Sequence, residues 1–224
     1  MKEVKTYYRR NLPHIHSENA VFFITFRLVN SLPAAVVEKL KQEQMIEEKR
    51  LMAIKNTLKR RQELNAGRKR YIIRFDEMLD RANDSPRWLG DERIAGLVQK
   101  KIHSLDNDAY YLISHCIMPN HVHLVIDIDI VDKRKIILTK RDKSRSTITL
   151  LAKILQKIKG AMAHEANIIL NRKGQFWQHE SFDHVVRNGT ELENIISYVL
   201  YNPVKAGLVK TPEEWKWSYS IYET

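Results

Sequence analysis

The stretch MPNHVHLVIDI, residues 118–128, sets His121 and His123 one residue apart inside a run of aliphatic and β-branched residues. Alternate residues of a strand share a face, so both imidazoles point one way while Val122 and Leu124 point the other. Two neutral imidazoles held side by side on a rigid strand make half of a divalent-metal site. The plainer alternative is a polar sheet face that carries two histidines. A second pair, His14 and His16, follows Pro13 in a loop-like stretch that cannot fix ligand geometry, and it is read as non-functional.

Two histidines leave a metal site unfinished, and the segment TELENIISYVLY, residues 190–201, offers what is missing. It reads as a final helix, begun by a Thr190/Glu193 capping box and stopped by Asn202-Pro203. Leu192, Ile195, Ile196 and Val199 form its core stripe. Tyr198 and Asn202, four positions and about 40° apart, flank that stripe together. The alternative is an ordinary boundary tyrosine followed by a stop signal. A phenol, with a pKa of about 10, is a poor nucleophile at neutral pH. It attacks phosphorus usefully when the phosphate is polarised and held in line, as a metal on His121, His123 and a third oxygen or amide ligand would do. The product would be a covalent phosphotyrosine that conserves the phosphodiester energy for rejoining.

The elements that must position these groups follow from pattern. AVFFITFRLV (20–29) reads as a strand. Residues 34 to about 64 read as a thinly amphipathic, mostly solvated helix with Leu51, Ile54 and Leu58 at helical spacing, broken at Asn65-Ala66-Gly67 and followed by a second helical piece. DERIAGLVQKKIHSL (91–105) is an amphipathic helix. AYYLISHCIM (109–118) and HVHLVIDIDI (121–130) form an antiparallel pair across a short turn. A long helix over 147–170, a strand or hairpin over 174–187 and the final helix complete the order. This order predicts an α+β fold: a ferredoxin-like βαββαβ antiparallel sheet with helices on one or both faces and an extra C-terminal helix. Residues 1–224 then form a single catalytic domain, with a helical insertion at about 34–90 enlarging the first crossover and a basic loop at about 131–146.

With 224 residues, 43% of them hydrophobic, the chain can bury a substantial core. Its formal net charge of +11 favours a polyanionic partner, nucleic acid first. The single cysteine, Cys116, excludes an intrachain disulfide and a cysteine-based zinc site. The lack of a secretory signal and of any 18-residue apolar run leads to the expectation of a soluble cytoplasmic protein without a membrane partner, nucleoid-associated when bound to DNA.

MPNHVHLVI and ISYVLYNPVKAGLV resemble the two hallmark segments of REP-associated tyrosine transposases, single-tyrosine members of the HUH (His-hydrophobic-His) endonuclease superfamily. FFITFRLVNSLP, PRWLGDERIAGLV and GQFWQHESFDHVVR strengthen the likeness, which covers roughly residues 8–32 and 86–219. It implies a metal-dependent endonuclease and strand transferase acting on single-stranded DNA at palindromic hairpins, as a monomer or a homodimer. His121 and His123 match the metal-binding pair, and Asn202 the position of a third, amide ligand. Tyr198 matches the nucleophile that forms a 5′-phosphotyrosine and frees a 3′-OH. The implied cofactor is one divalent ion, Mg²⁺ or Mn²⁺. Tyr201, the rival nucleophile, is swung away from Asn202 by its three-residue offset.

Residues 132–145 carry seven cations against two aspartates. Lys133, Arg134, Lys135, Lys140, Arg141, Lys143 and Arg145 are the expected nucleic-acid contacts, because they follow the histidine strand directly. Phe176, Trp177 and Tyr219 are of a type that stacks bases, with core packing the main alternative. His179 and His184 are read as structural neighbours of the site, and Asp127 or Asp129 as a minor outer partner of the histidines. Two rival readings remain: a catalytically silent regulator that binds hairpin DNA on the same fold, and a hydrolase that uses activated water with Tyr198 structural.

Overall fold

A computed structural model describes the backbone of residues 6–9 and 13–16 and the whole of residues 20–82, 84–128 and 150–222. The expected basic contacts Lys133, Arg134, Lys135, Lys140, Arg141, Lys143 and Arg145, and Asp129 with them, lie outside the described residues. The chain divides into two compact units, residues 29–86 and the remainder.

The larger unit is built on a five-stranded sheet. Strands β1 (Thr6–Arg9) and β2 (Pro13–His16) form a separate antiparallel hairpin. The sheet itself contains β3 (Val21–Leu28), β4 (Tyr111–Ile117), β5 (His121–Asp127), β6 (Trp177–Val185) and β7 (Ser218–Ser220). Their order is β6-β3-β5-β4-β7, antiparallel throughout. Leaving out β7, the order is fourth, first, third, second, which is the ferredoxin-like arrangement the sequence predicts. Helices α3 (Glu92–His103), α4 (Leu150–Ile169) and α5 (Gly189–Lys205) complete the unit.

Alternation decides the layers. Phe22, Ile24, Phe26 and Leu28 of β3 join Val122, Leu124 and Ile126 of β5 in one apolar core, closed by Ile94, Val98 and Ile102 of α3 and by Ile154, Ile158 and Met162 of α4. The other face carries Phe23, Thr25, His121 and His123, all buried, and α5 lies on that side. Both faces being covered, β3 and β5 read as continuous buried runs. Lys159 fastens α4 to β6 by donating to the carbonyls of Gln178 (2.7 Å) and His179 (3.2 Å), and burial pushes its ammonium down to about 8. Among the described residues no helix is long and apolar enough to cross a membrane.

Four local expectations are corrected. His14 and His16 lie in strand β2, paired with β1, and not in a loop. The smaller unit is a pair of helices, α1 (Ala34–Met52) and α2 (Thr57–Arg81), and α2 runs straight through Asn65-Ala66-Gly67. The break falls earlier, where the Asn56 side chain accepts from the Lys59 amide and starts a new helix. Gly67 sits in the helix interior without being required there, since a Cβ at this position would lie 3.6 Å from Leu51 Cδ1, an ordinary contact. The final helix starts not from Thr190/Glu193 but from Asn188, which accepts from the Glu191 amide. It does not stop at Pro203 but continues to Lys205 with that proline inside. Strand β7 has no counterpart in the sequence reading, and on it Tyr219 stacks on His115 and meets His103 edge-on. Phe176 and Trp177 are buried, so core packing is their role.

Two expected outcomes follow. Since a Cβ at Gly67 makes only ordinary contact, Gly67→Ala should stabilise α2 by about 0.5–1 kcal/mol, seen as a raised denaturant midpoint. His115 is fully buried on β4, and burial, with His103 beside it as a smaller cause, pushes it down to about 3. The unfolded chain therefore binds a proton that the folded chain refuses between pH 6.5 and about 3. Stability present above pH 6.5 is lost as pH falls through that window, at about 1.4 kcal/mol per unit. His115→Phe should flatten the decline, and parallel curves for variant and wild type would show that the imidazole is not held neutral.

Candidate active site

His121 opens β5, the central strand of the five, and His123 follows on the same face. In the pairing register His123 stands between Thr25 of β3 and Cys116 of β4, and His121 lies opposite Arg27. The two Nε2 atoms are 3.0 Å apart and both rings are fully buried. Burial pushes His121 down to about 3. It pushes His123 well down too, with His121 and Lys205 adding to the effect. Both rings are therefore neutral at pH 7 and offer lone pairs rather than charge.

Helix α5 brings the remaining groups. Asn202 is buried, and its Nδ2 lies 3.0 Å from His123 Nε2, while its Oδ1 makes no hydrogen bond among the described residues. The two ends of a carboxamide are assigned from their surroundings. Exchanging them turns the orphaned oxygen toward the imidazole nitrogens. The Tyr198 ring sits 5.8 Å from the His123 ring and 6.1 Å edge-on from Phe23, half-buried. Phe23 also stacks on His123 at 5.6 Å, so one side chain wedges both groups. Lys205 Nζ lies 6.0 Å from the Tyr198 ring centre. Tyr198, Asn202 and Lys205 thus share one stripe of α5, while Tyr201 is 60% exposed.

This donor set fits a divalent cation. Two imidazole nitrogens converge at a distance that calls for a proton or a cation between them, and a buried amide oxygen beside them has no hydrogen-bond donor among the described residues. A positive ion accepting all three relieves both strains, and a mixed nitrogen–oxygen set suits a borderline divalent ion. Within the larger unit, His121, His123 and Asn202 are the residues that could hold it.

Several neighbours escaped sequence reasoning. Asn120 Oδ1 lies 2.7 Å from His121 Nδ1, and Thr25 Oγ1 lies 2.9 Å from His123 Nδ1. The outer partners of the imidazoles are therefore these two, not Asp127, which pairs in register with Val21 at the far end of the strand. Asn120 sits in the turn before β5 and Thr25 within β3, and neither carries a sequence signal of its own. His184 is buried and bonded to Glu191 Oε1 at 3.2 Å, while Glu191 Oε2 accepts from the Arg187 amide at 2.9 Å. His179 is exposed.

No family model matches the chain. A curated protein of Haemophilus influenzae named REP-associated tyrosine transposase is 29% identical over 103 residues, 46% of this chain and 54% of that protein. The match thus spans about half the length of the relative, which bears the family name that the sequence motifs suggest. A solved structure of a REP-associated tyrosine transposase bound to a REP hairpin aligns with 97% of this chain and 82% of its own, at 15% identity and a TM-score of 0.41.

Glu191 joins β6 to the first turn of α5 from a position only 6% exposed, so removing it takes an acceptor from a buried imidazole and from an amide. Glu191→Ala should cost about 3–5 kcal/mol in denaturant unfolding. Glu191→Gln, which keeps an acceptor, should cost clearly less. Equal losses for the two would mean that the carboxylate does not hold this joint.

Proposed function

We propose that the chain is a metal-dependent, single-stranded DNA nicking and joining enzyme of the transposase type, acting at hairpin DNA through a covalent phosphotyrosine on Tyr198. The observation that carries this reading is the meeting of three groups from two distant segments. They are the paired imidazole nitrogens 3.0 Å apart, the Asn202 carboxamide 3.0 Å from one of them, and the half-buried Tyr198 ring beside it. The similarity to a curated protein named REP-associated tyrosine transposase points the same way, and the hairpin substrate is what the resemblance of the sequence motifs implies.

In this reading His121, His123 and Asn202 hold one Mg²⁺ or Mn²⁺. When bound, the ion supplies Lewis-acid polarisation of the scissile phosphate. The chain does the rest. The neutral imidazoles add no charge of their own, and Phe23 fixes the Tyr198 ring against His123. The phenol oxygen forms a bond to phosphorus as the bond from phosphorus to the 3′-oxygen breaks. The phenol gives up its proton and the departing oxygen gains one, so a 3′-hydroxyl and a 5′-phosphotyrosine result. One phosphodiester replaces another, which keeps the energy needed for joining. Lys205 stands where it can attract the DNA backbone near Tyr198. The basic residues Lys133, Arg134, Lys135, Lys140, Arg141, Lys143 and Arg145 contribute further phosphate contacts. The chain is one catalytic domain with the helical unit of residues 29–86 as an insertion in its first crossover.

Incubating the full chain with single-stranded hairpin DNA and Mn²⁺ should give a protein–DNA adduct that mass spectrometry maps to Tyr198. Tyr198→Phe should abolish the adduct and lower cleavage by at least ~10³-fold, as loss of a covalent nucleophile does. Undiminished cleavage by the variant favours an activated-water hydrolase. Hairpin binding without cleavage by the wild type favours a silent regulator.

A further inference from the structure

We propose that Asn120 and Thr25 are positioning residues with different tasks, Asn120 locking the proton of His121 and Thr25 allowing that of His123 to move. The proposal rests on the metal-site reading of the histidine pair and deepens it. His121 Nδ1 faces Asn120 Oδ1 at 2.7 Å, and a carboxamide oxygen only accepts. His121 is thereby held as the Nδ1–H tautomer, with the Nε2 lone pair aimed at the site. The lock is rigid because the turn carrying it is tied on both sides. Asn120 O accepts from the Leu28 amide at 2.9 Å, Pro119 O from Leu89 at 3.1 Å, and His121 O from Met118 at 2.9 Å. The Asn120 side chain is itself only 3% exposed.

Thr25 presents a hydroxyl, which can donate or accept. It lies 2.9 Å from His123 Nδ1 on the adjoining strand, in direct register. Without a cation, and with the Asn202 carboxamide turned so that Oδ1 rather than Nδ2 faces His123, the 3.0 Å separation of the Nε2 atoms fits a hydrogen bond from His123 to the fixed lone pair of His121, with the Thr25 hydroxyl donating to Nδ1. With a cation, the His123 proton belongs on Nδ1, Thr25 accepts it, and both Nε2 atoms face the ion. The proton leaves Nε2 and arrives at Nδ1, so the net charge of the ring is unchanged. Metal entry thus requires one tautomer exchange at His123 and none at His121.

The test uses the full chain at pH 7, with Mn²⁺ titrated for affinity and Zn²⁺ as a diamagnetic probe for ¹⁵N NMR of the imidazoles. Asn120→Ala and Thr25→Val should each weaken Mn²⁺ binding about 10–100-fold, while Asn120→Asp and Thr25→Ser stay within a few-fold of wild type. Without metal, His121 should show Nδ1–H and His123 Nε2–H, and Zn²⁺ should convert only His123. Unchanged affinity in both truncated variants, or Nε2–H at His121 in the wild type, overturns the proposal. Should a truncation unfold the chain, the wild-type spectrum alone decides. If the wild type binds no Mn²⁺ yet Asn120→Ala releases the His121 tautomer, the lock stands and the metal reading falls.

Discussion

Two imidazole nitrogens 3.0 Å apart and sealed from water impose the constraint on which this molecule turns. At that distance they share one proton or one cation, since neither ring can become imidazolium cheaply in so dry a place. Everything around the pair serves to make this separation tolerable. The central strand fixes the two rings on one face, its neighbours supply Thr25 and Cys116 beside them, and α5 covers them with Asn202. A cluster of this kind on an exposed sheet would be hydrated and would need no such company.

The sheet separates its duties by face. The side against α3 and α4 is apolar and continuous, and supplies most of the burial that holds the unit together. The side against α5 mixes Phe23 with Thr25, His121, His123 and His184, each polar group satisfied by a specific partner. A half-satisfied polar layer would destabilise the fold, which is why the bonds are short and the partners come from rigid strands. Phe23 links the two demands, since it is a packing residue that touches both the His123 and the Tyr198 rings.

What the sequence disclosed was whatever depends on short, regular periods. The shared face of His121 and His123 follows from the two-residue repeat of a strand, and the proximity of Tyr198 to Asn202 from the four-residue step of a helix. The strand order follows from the sequence of elements and the short MPN turn. Hidden features depended on contacts between segments far apart in the chain. Thr25 meets His123 across 98 residues, and β7 pairs with β4 only after the chain returns to that edge. Signals with two meanings also misled. Gly67 lies inside α2 because a single glycine costs a long helix only about 1 kcal/mol, and Asn188 outcompetes Thr190 as a cap because Glu191 is drawn back to His184 and the Arg187 amide.

Pro203 carries the most consequence among these. A helix that ended at Asn202 would leave its carboxamide on fraying backbone, free to turn from the imidazoles. The proline instead occupies an interior position, buried, with its carbonyl accepting from the Leu208 amide and the Asn202 carbonyl accepting from the Ala206 amide. Asn202 therefore keeps helical geometry and its place one turn beyond Tyr198. The opposite end of α5 is held by Glu191, eleven residues earlier and about 16 Å away along the axis. A slip of one residue would rotate the helix by about 100° and carry both Tyr198 and Asn202 off the histidine face. Anchors at both ends forbid that rotation, so the azimuth of a single helix sets whether a phenol and two imidazoles share one small volume.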